Sequence, residues 1–149
     1  MLLIWRAHGI EETLRQAWEK GIILCGISAG SLCWFSGSIT DSWGHPLRVF
    51  NDGLGLLPGS HCPHYDGESD RADLYHQSVA NGALPPGIAI EDCCGVLFRG
   101  SAFVESVCSV SGKRAYWVSP DDGDTCGHRA QEVSSLQGLT KRVTLRLNV

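Results

Sequence analysis

Four consecutive apolar residues, Ile22-Ile23-Leu24-Cys25, run into Gly26-Ile27-Ser28-Ala29-Gly30 and then into Ser31-Leu32-Cys33-Trp34-Phe35. A short, continuous apolar run suits a strand buried on both faces. The glycines on either side of Ser28 allow a sharp turn and a close approach of strand to helix. The residues after Gly30 read as the start of a helix. A buried strand, a tight turn and a helix in succession belong to α/β architecture with a partly parallel sheet, because a buried parallel strand needs covering on both faces.

The remaining chain supports that reading. Ile10, Leu14, Ala17 and Trp18 share one face of a helix that Glu11 and Glu12 open, Lys20 closes and Gly21 ends. The stretch from Gly37 to Gly59 is rich in Gly, Pro, Asn and Asp and reads as loop. Residues 70–79 form a helix candidate stopped by Asn81-Gly82. Ile88-Ala89-Ile90 and Gly95-Val96-Leu97-Phe98 read as strands around the polar turn Glu91-Asp92, and 103–107 and 115–118 as two more. From residue 119 to 149 the pattern is irregular, although Val143 to Leu147 alternates like a strand. The expected organisation is therefore one α/β domain over residues 1–118 and an irregular tail over 119–149.

Composition excludes several classes. The 149 residues suit one domain, and 43% hydrophobic with 19% charged residues is ample for a packed core. The formal charge of -4 gives no basic excess with which to neutralise phosphates, so nucleic acid is not an expected partner. No apolar run nears the roughly 20 residues of a membrane helix, and Met1 to Arg6 lacks the features of a signal peptide, so a cytoplasmic location is expected. Seven cysteines, an odd number with no Cys-x-x-Cys pair, predict reduced thiols rather than a disulfide framework. Neither Cys62-Pro63-His64 nor Cys93-Cys94 has the spacing of a common zinc site, so no metal is expected.

Gly26-x-Ser28-x-Gly30 has the form and context of a nucleophile elbow. Such a turn holds the serine hydroxyl above the sheet and aims the following backbone N–H, that of Ala29, at a developing oxyanion. A glycine-rich turn with an incidental serine is the plainer alternative. A serine hydroxyl needs a base, and of the six histidines His64 is the best candidate, because Pro63 stiffens its approach. Glu91 and Asp92, at the end of a buried strand, are the candidate acids, and local sequence does not separate them from each other or from an ordinary charged turn.

Ile4-Trp5-Arg6-x-x-Gly9, Gly26-Ile27-Ser28-Ala29-Gly30-Ser31, Cys62-Pro63-His64-Tyr65 and Ala89-Ile90-Glu91-Asp92, in this order, resemble the dipeptidase E family of serine peptidases. That family includes aspartyl dipeptidase and is related to cyanophycinase. The resemblance spans roughly residues 1–118. It implies a three-layer α/β fold with a mostly parallel sheet, similar to class I glutamine amidotransferases, and hydrolysis of short peptides through an acyl-enzyme without cofactor. It also implies Ser28 as nucleophile, His64 as base and Glu91 rather than Asp92 as acid. Arg71 falls where aspartyl dipeptidases carry an arginine for an acidic substrate side chain. The family's N-terminal strands and Gly-Gly-Asn loop precede the helix that begins here near Met1. The resemblance therefore implies a sheet lacking those strands, an oxyanion hole with one donor fewer, and uncovered apolar surface that favours homo-oligomers. Two other readings stand beside it. One is an esterase-type α/β-hydrolase fragment using Asp92 and His128, and the other is a catalytically inactive remnant.

Overall fold

The computed structural model describes residues 1–120 and 128–132. Helices α1 (Leu2–Ala7) and α2 (Ile10–Glu19) pack on each other across Gly9, which sits in the left-handed region that ends one helix and admits the next. α3 (Ala29–Leu32) follows Ser28, and β1 (Phe35–Thr40), β2 (Arg48–Phe50) and β3 (Leu57–Cys62) come next. α4 (Arg71–Ala80) crosses to β4 (Gly87–Ile90), the hairpin of β5 (Cys94–Arg99) and β6 (Ala102–Cys108), then β7 (Ala115–Pro120) and β8 (His128–Glu132).

Six strands form one sheet in the order β2-β1-β3-β4-β7-β8. β1, β3 and β4 are parallel neighbours, while β2, β7 and β8 are added by antiparallel ladders. β1, β3, β4 and β8 therefore run one way, β2 and β7 the other. The fold is α/β and resembles the expected layering, with the parallel ladders confined to the middle of the sheet.

Strand alternation divides the core in two. On one face α4 lays Tyr75 and Val79 against Ile39, Cys62, Leu84, Ala89 and Val118. On the other, Ile88, Ile90, Phe35 and Ala115 meet Trp34 and Leu57, together with Val96, Phe98 and Phe103 of the β5–β6 hairpin. The sheet is thus the middle layer between α4 and the hairpin. The Tyr75 hydroxyl, buried in the first cluster, is satisfied by Ser60 Oγ at 2.8 Å.

Five expectations are corrected. Residues 22–27 join no ladder among the described residues, and Ile22, Ile23 and Ile27 are 56%, 88% and 85% exposed. An apolar run becomes a strand only where a neighbour takes up its N–H and C=O groups, and none stands there. The helix expected to begin at Ser31 ends at Leu32, and Phe35 opens β1. β1 and β2 lie within or beside the stretch read as loop. Gly37 and Ser38 open that loop-like stretch, yet the strand they belong to is buried. A Cβ on Gly37 would stand 2.7 Å from both Leu84 Cδ2 and Asn51 Oδ1, so the small residues are what lets β1 fit. Cys94 and Cys108 stand opposite each other in the hairpin and form a disulfide, where reduced thiols were expected. Finally β8 extends the sheet from within the stretch read as an irregular tail. The strand-like residues 143–147 lie outside the described residues.

Ile39 and Ile23 should respond in opposite ways to the same truncation. Ile39→Ala, at a position with 0% exposure, should lower unfolding free energy by about 2–5 kcal/mol. Ile23→Ala should change it by no more than about 0.5 kcal/mol. Urea titrations of the two variants against the parent check both values.

Candidate active site

The chain between Gly26 and Gly30 folds back on itself so tightly that a Cβ on Gly26 would lie 2.0 Å from Gly30 O. No side chain fits there. Gly30 N–H donates to Ile27 O at 2.9 Å, and Ser31 and Leu32 N–H donate to Ser28 O at 2.8 and 3.1 Å, which starts α3. Ser28 itself is held at φ 53°, ψ -124°, a conformation that costs a non-glycine residue on the order of 1–3 kcal/mol. His64 and Cys93 are the other described non-glycine residues with positive φ, at 54° and 67°. Backbone strain is thus gathered around Ser28 and its surroundings.

His64 follows β3 by two residues, and Pro63 gives that exit its direction. Tyr65 N–H donates to Ile90 O at 3.1 Å, fastening the segment to the end of β4. His64 Nε2 then lies 2.9 Å from Ser28 Oγ, and His64 Nδ1 lies 2.6 Å from Asp92 Oδ1. With Nδ1–H donated to the carboxylate, Nε2 is left to accept from the serine hydroxyl. Asp92 is placed in turn by Asp66, whose Oδ1 accepts the Asp92 N–H at 2.8 Å and which is ion-paired with Lys113.

The structure therefore brings together Ser28, His64 and Asp92, and leaves Glu91 out. Glu91 Oε2 accepts the Arg114 N–H at 2.8 Å, and Oε1 accepts the Tyr116 hydroxyl at 3.4 Å. Alternation along β4 explains the difference. Ile88 and Ile90 face the hairpin side and Ala89 faces α4, so Glu91 continues the side of Ala89 and Asp92 that of Ile90.

Arg71 does not reach the site. It is 3% exposed at the start of α4, donates to Ile39 O at 3.3 Å and pairs with Glu68 at 2.9 Å. Its guanidinium closes a buried corner of the fold, and a substrate carboxylate has no access to it. Ala29, the first residue of α3, carries its N–H directly after the Ser28 carbonyl. His128 opens β8, in register with Pro120, on the outer strand of the sheet. Cys62 is buried and its thiol is pushed up to about 12, first by that burial, so it stays protonated at neutral pH.

A cavity of about 880 Å³ opens beside Ser28 and His64. Its walls come from the 22–27 segment, from Trp34 and Phe35, from the end of β4 with Asp92, and from Val96 to Gly100 of the hairpin. His61, on its floor, is a residue that the sequence reading passed over. Burial lowers its pKa to about 4, helped by the charge of His64 and opposed by the hydrogen bond to Ile88 O.

Sequence comparison places the chain in a known class. The model of peptidase family S51 matches residues 1–105. Over 118 residues the chain is 44% identical to the uncharacterized peptidase YgaJ of Bacillus subtilis, covering 79% of this chain and 50% of that protein. The chain belongs to peptidase family S51, a family of serine peptidases. It spans half the length of that curated relative. No helix among the described residues is long and apolar enough to cross a membrane.

Two measurements probe the site without reference to activity. Gly26→Ala should open the turn and raise the hydrogen-exchange rates of Gly30 and Ser31 amides. Gly30→Ala, where a Cβ would meet nothing within 4 Å, should leave them protected. The second concerns pH. Unfolded His61 takes up a proton near 6.5, whereas the folded chain refuses it until about pH 4. Its contribution to stability is whole above 6.5 and is lost as pH falls through that window, by about 3 kcal/mol in total. Urea midpoints from pH 7 to 5 should fall in the parent and fall less in His61→Gln.

Proposed function

We propose that this chain carries the catalytic centre of a serine peptidase acting on short peptides, with Ser28 as nucleophile, His64 as general base and Asp92 as the acid that orients it. The observation that carries this reading is the continuous chain of contacts, Asp92 Oδ1 to His64 Nδ1 at 2.6 Å and His64 Nε2 to Ser28 Oγ at 2.9 Å, built on strained backbone at Ser28 and His64.

The chemistry follows from the proton positions. His64 Nε2 takes the Ser28 proton as Oγ attacks the substrate carbonyl, and the Asp92 carboxylate stabilises the imidazolium through Nδ1–H. The Ala29 N–H is one donor to the tetrahedral oxyanion. His64 then returns the proton to the leaving amine, which departs and leaves an acyl group on Ser28. A water molecule, deprotonated by the same ring, hydrolyses that ester and restores the serine. A substrate of two or a few residues suits a cavity roofed by the hairpin better than a folded protein does. Dipeptides beginning with Asp are the substrates to try first on the family resemblance, although Arg71 is too buried to select them.

Fluorophosphonate labelling tests the reading. Ser28 should be the modified residue by peptide mapping, and Ser28→Ala should take no label. Asp92→Asn should slow labelling by about 10² or more, because the ring loses both its tautomer and its charge partner. Glu91→Gln should label at close to the parental rate. An adduct on another residue, or none on folded protein, overturns the nucleophile. The reverse order of the two acidic variants overturns the acid. Cleavage of simple esters with no dipeptide hydrolysis would mark an esterase instead.

A further inference from the structure

Ser31 lies one helical turn beyond Ser28. Its hydroxyl oxygen is 2.6 Å from Ser28 O and 2.9 Å from His61 Nε2. His61 Nδ1 is 3.0 Å from Ile88 O. A carbonyl only accepts, so the contact with Ile88 places a ring proton on Nδ1. His61 is 1% exposed and its pKa is lowered to about 4, chiefly by burial, so at neutral pH that is its single ring proton. Nε2 is then an acceptor. The one proton of the Ser31 hydroxyl faces two acceptors, His61 Nε2 and Ser28 O, and is shared between them.

These contacts cross from the turn to the middle of the sheet. His61 lies in register with Ser38 of β1 on one side and Ile88 of β4 on the other, and its ring stacks on Phe35 at 4.8 Å. α3 has only four residues, too few to hold Ser28 at a disfavoured φ by its own backbone bonds. The shared hydroxyl supplies a side-chain tie from α3 into the parallel strands.

We propose that Ser31 and His61 form a positioning pair for the nucleophile, the shared hydroxyl proton anchoring the Ser28 carbonyl to β3 and β4 so that Ser28 Oγ stays against His64. The pair rests on the serine-peptidase reading above. It acts through the Ser28 backbone and makes no contact with the reacting Oγ. Loss of the tie lets Ser28 relax toward an ordinary conformation, which withdraws Oγ from Nε2 of His64 and leaves the cavity walls in place.

The experiment is fluorophosphonate labelling of the full chain as a function of reagent concentration, which separates reagent binding from the rate of bond formation at saturation. Ser31→Ala should lower the saturating rate about tenfold, the value of one well-placed hydrogen bond, with the reagent's binding constant unchanged. Ser31→Thr, which keeps the hydroxyl, should recover most of that rate. Thermal unfolding of each variant reports the folded fraction. Nitrogen NMR of the parent should find His61 as the Nδ1–H tautomer. A Ser31→Ala rate equal to the parent's, or a loss that follows only the folded fraction, overturns the positioning pair and leaves the peptidase reading standing. An Nε2–H tautomer overturns the shared proton. A parent chain that takes no label at Ser28 overturns the peptidase reading, and the pair with it.

Discussion

Three parallel residue pairs, Ser60 with Gly87, His61 with Ile88 and Cys62 with Ala89, hold β3 against β4. Both strands release the chain at the same edge. Pro63-His64 leaves one and Glu91-Asp92 leaves the other, and the Tyr65 N–H to Ile90 O bond stitches the two exits together. The separation of His64 and Asp92 is therefore a consequence of sheet register. A slip of one residue would exchange the faces of every side chain on β4 and would offer His64 the neighbouring carboxylate. Ser28 reaches the same point from a turn whose own geometry depends on the absence of a side chain at Gly26.

Strain at Ser28 and His64 is tolerated because the surroundings are rigid. Two apolar clusters, one beneath α4 and one beneath the β5–β6 hairpin, clamp the sheet from both sides. Each disfavoured φ costs on the order of 1–3 kcal/mol, which is comparable with one buried aliphatic side chain. The second cluster also roofs the cavity, so the packing that supports the strained residues is continuous with the wall a substrate would touch. The disulfide between Cys94 and Cys108 closes the open end of that hairpin.

Much of the site was legible in the residues themselves. Gly-x-Ser-x-Gly and Pro-His carry their chemistry locally, since each depends on the turn made by a few neighbours. The carboxylate that meets His64 was harder, because Glu91 and Asp92 offer the same chemistry and differ only in the side of the strand they leave. Carrying the alternation of Ile88, Ala89 and Ile90 forward would have pointed to Asp92. His61 gave no signal, because its role depends on Ser31 and Ile88, which lie 30 and 27 residues away in the chain. Arg71 misled for the opposite reason. The family resemblance puts an arginine for an acidic substrate there, and in the fold its guanidinium is buried against Glu68 of the same turn.

Local order was thus determined by the sequence alone: the helix at 10–19, the turn at Ser28 and the helix after Asp70 follow from side-chain periodicity and from glycine. Tertiary structure decided whatever required a distant partner. The apolar run at 22–25 stayed out of any ladder among the described residues, while Ser36-Gly37-Ser38, unpromising in isolation, became the buried strand beside β3. Cys94 met Cys108 because hairpin register set them opposite each other. The physical reason is common to all three. A helix satisfies its backbone hydrogen bonds within itself, whereas a strand or a cross-strand pair exists only once another part of the chain supplies the other half.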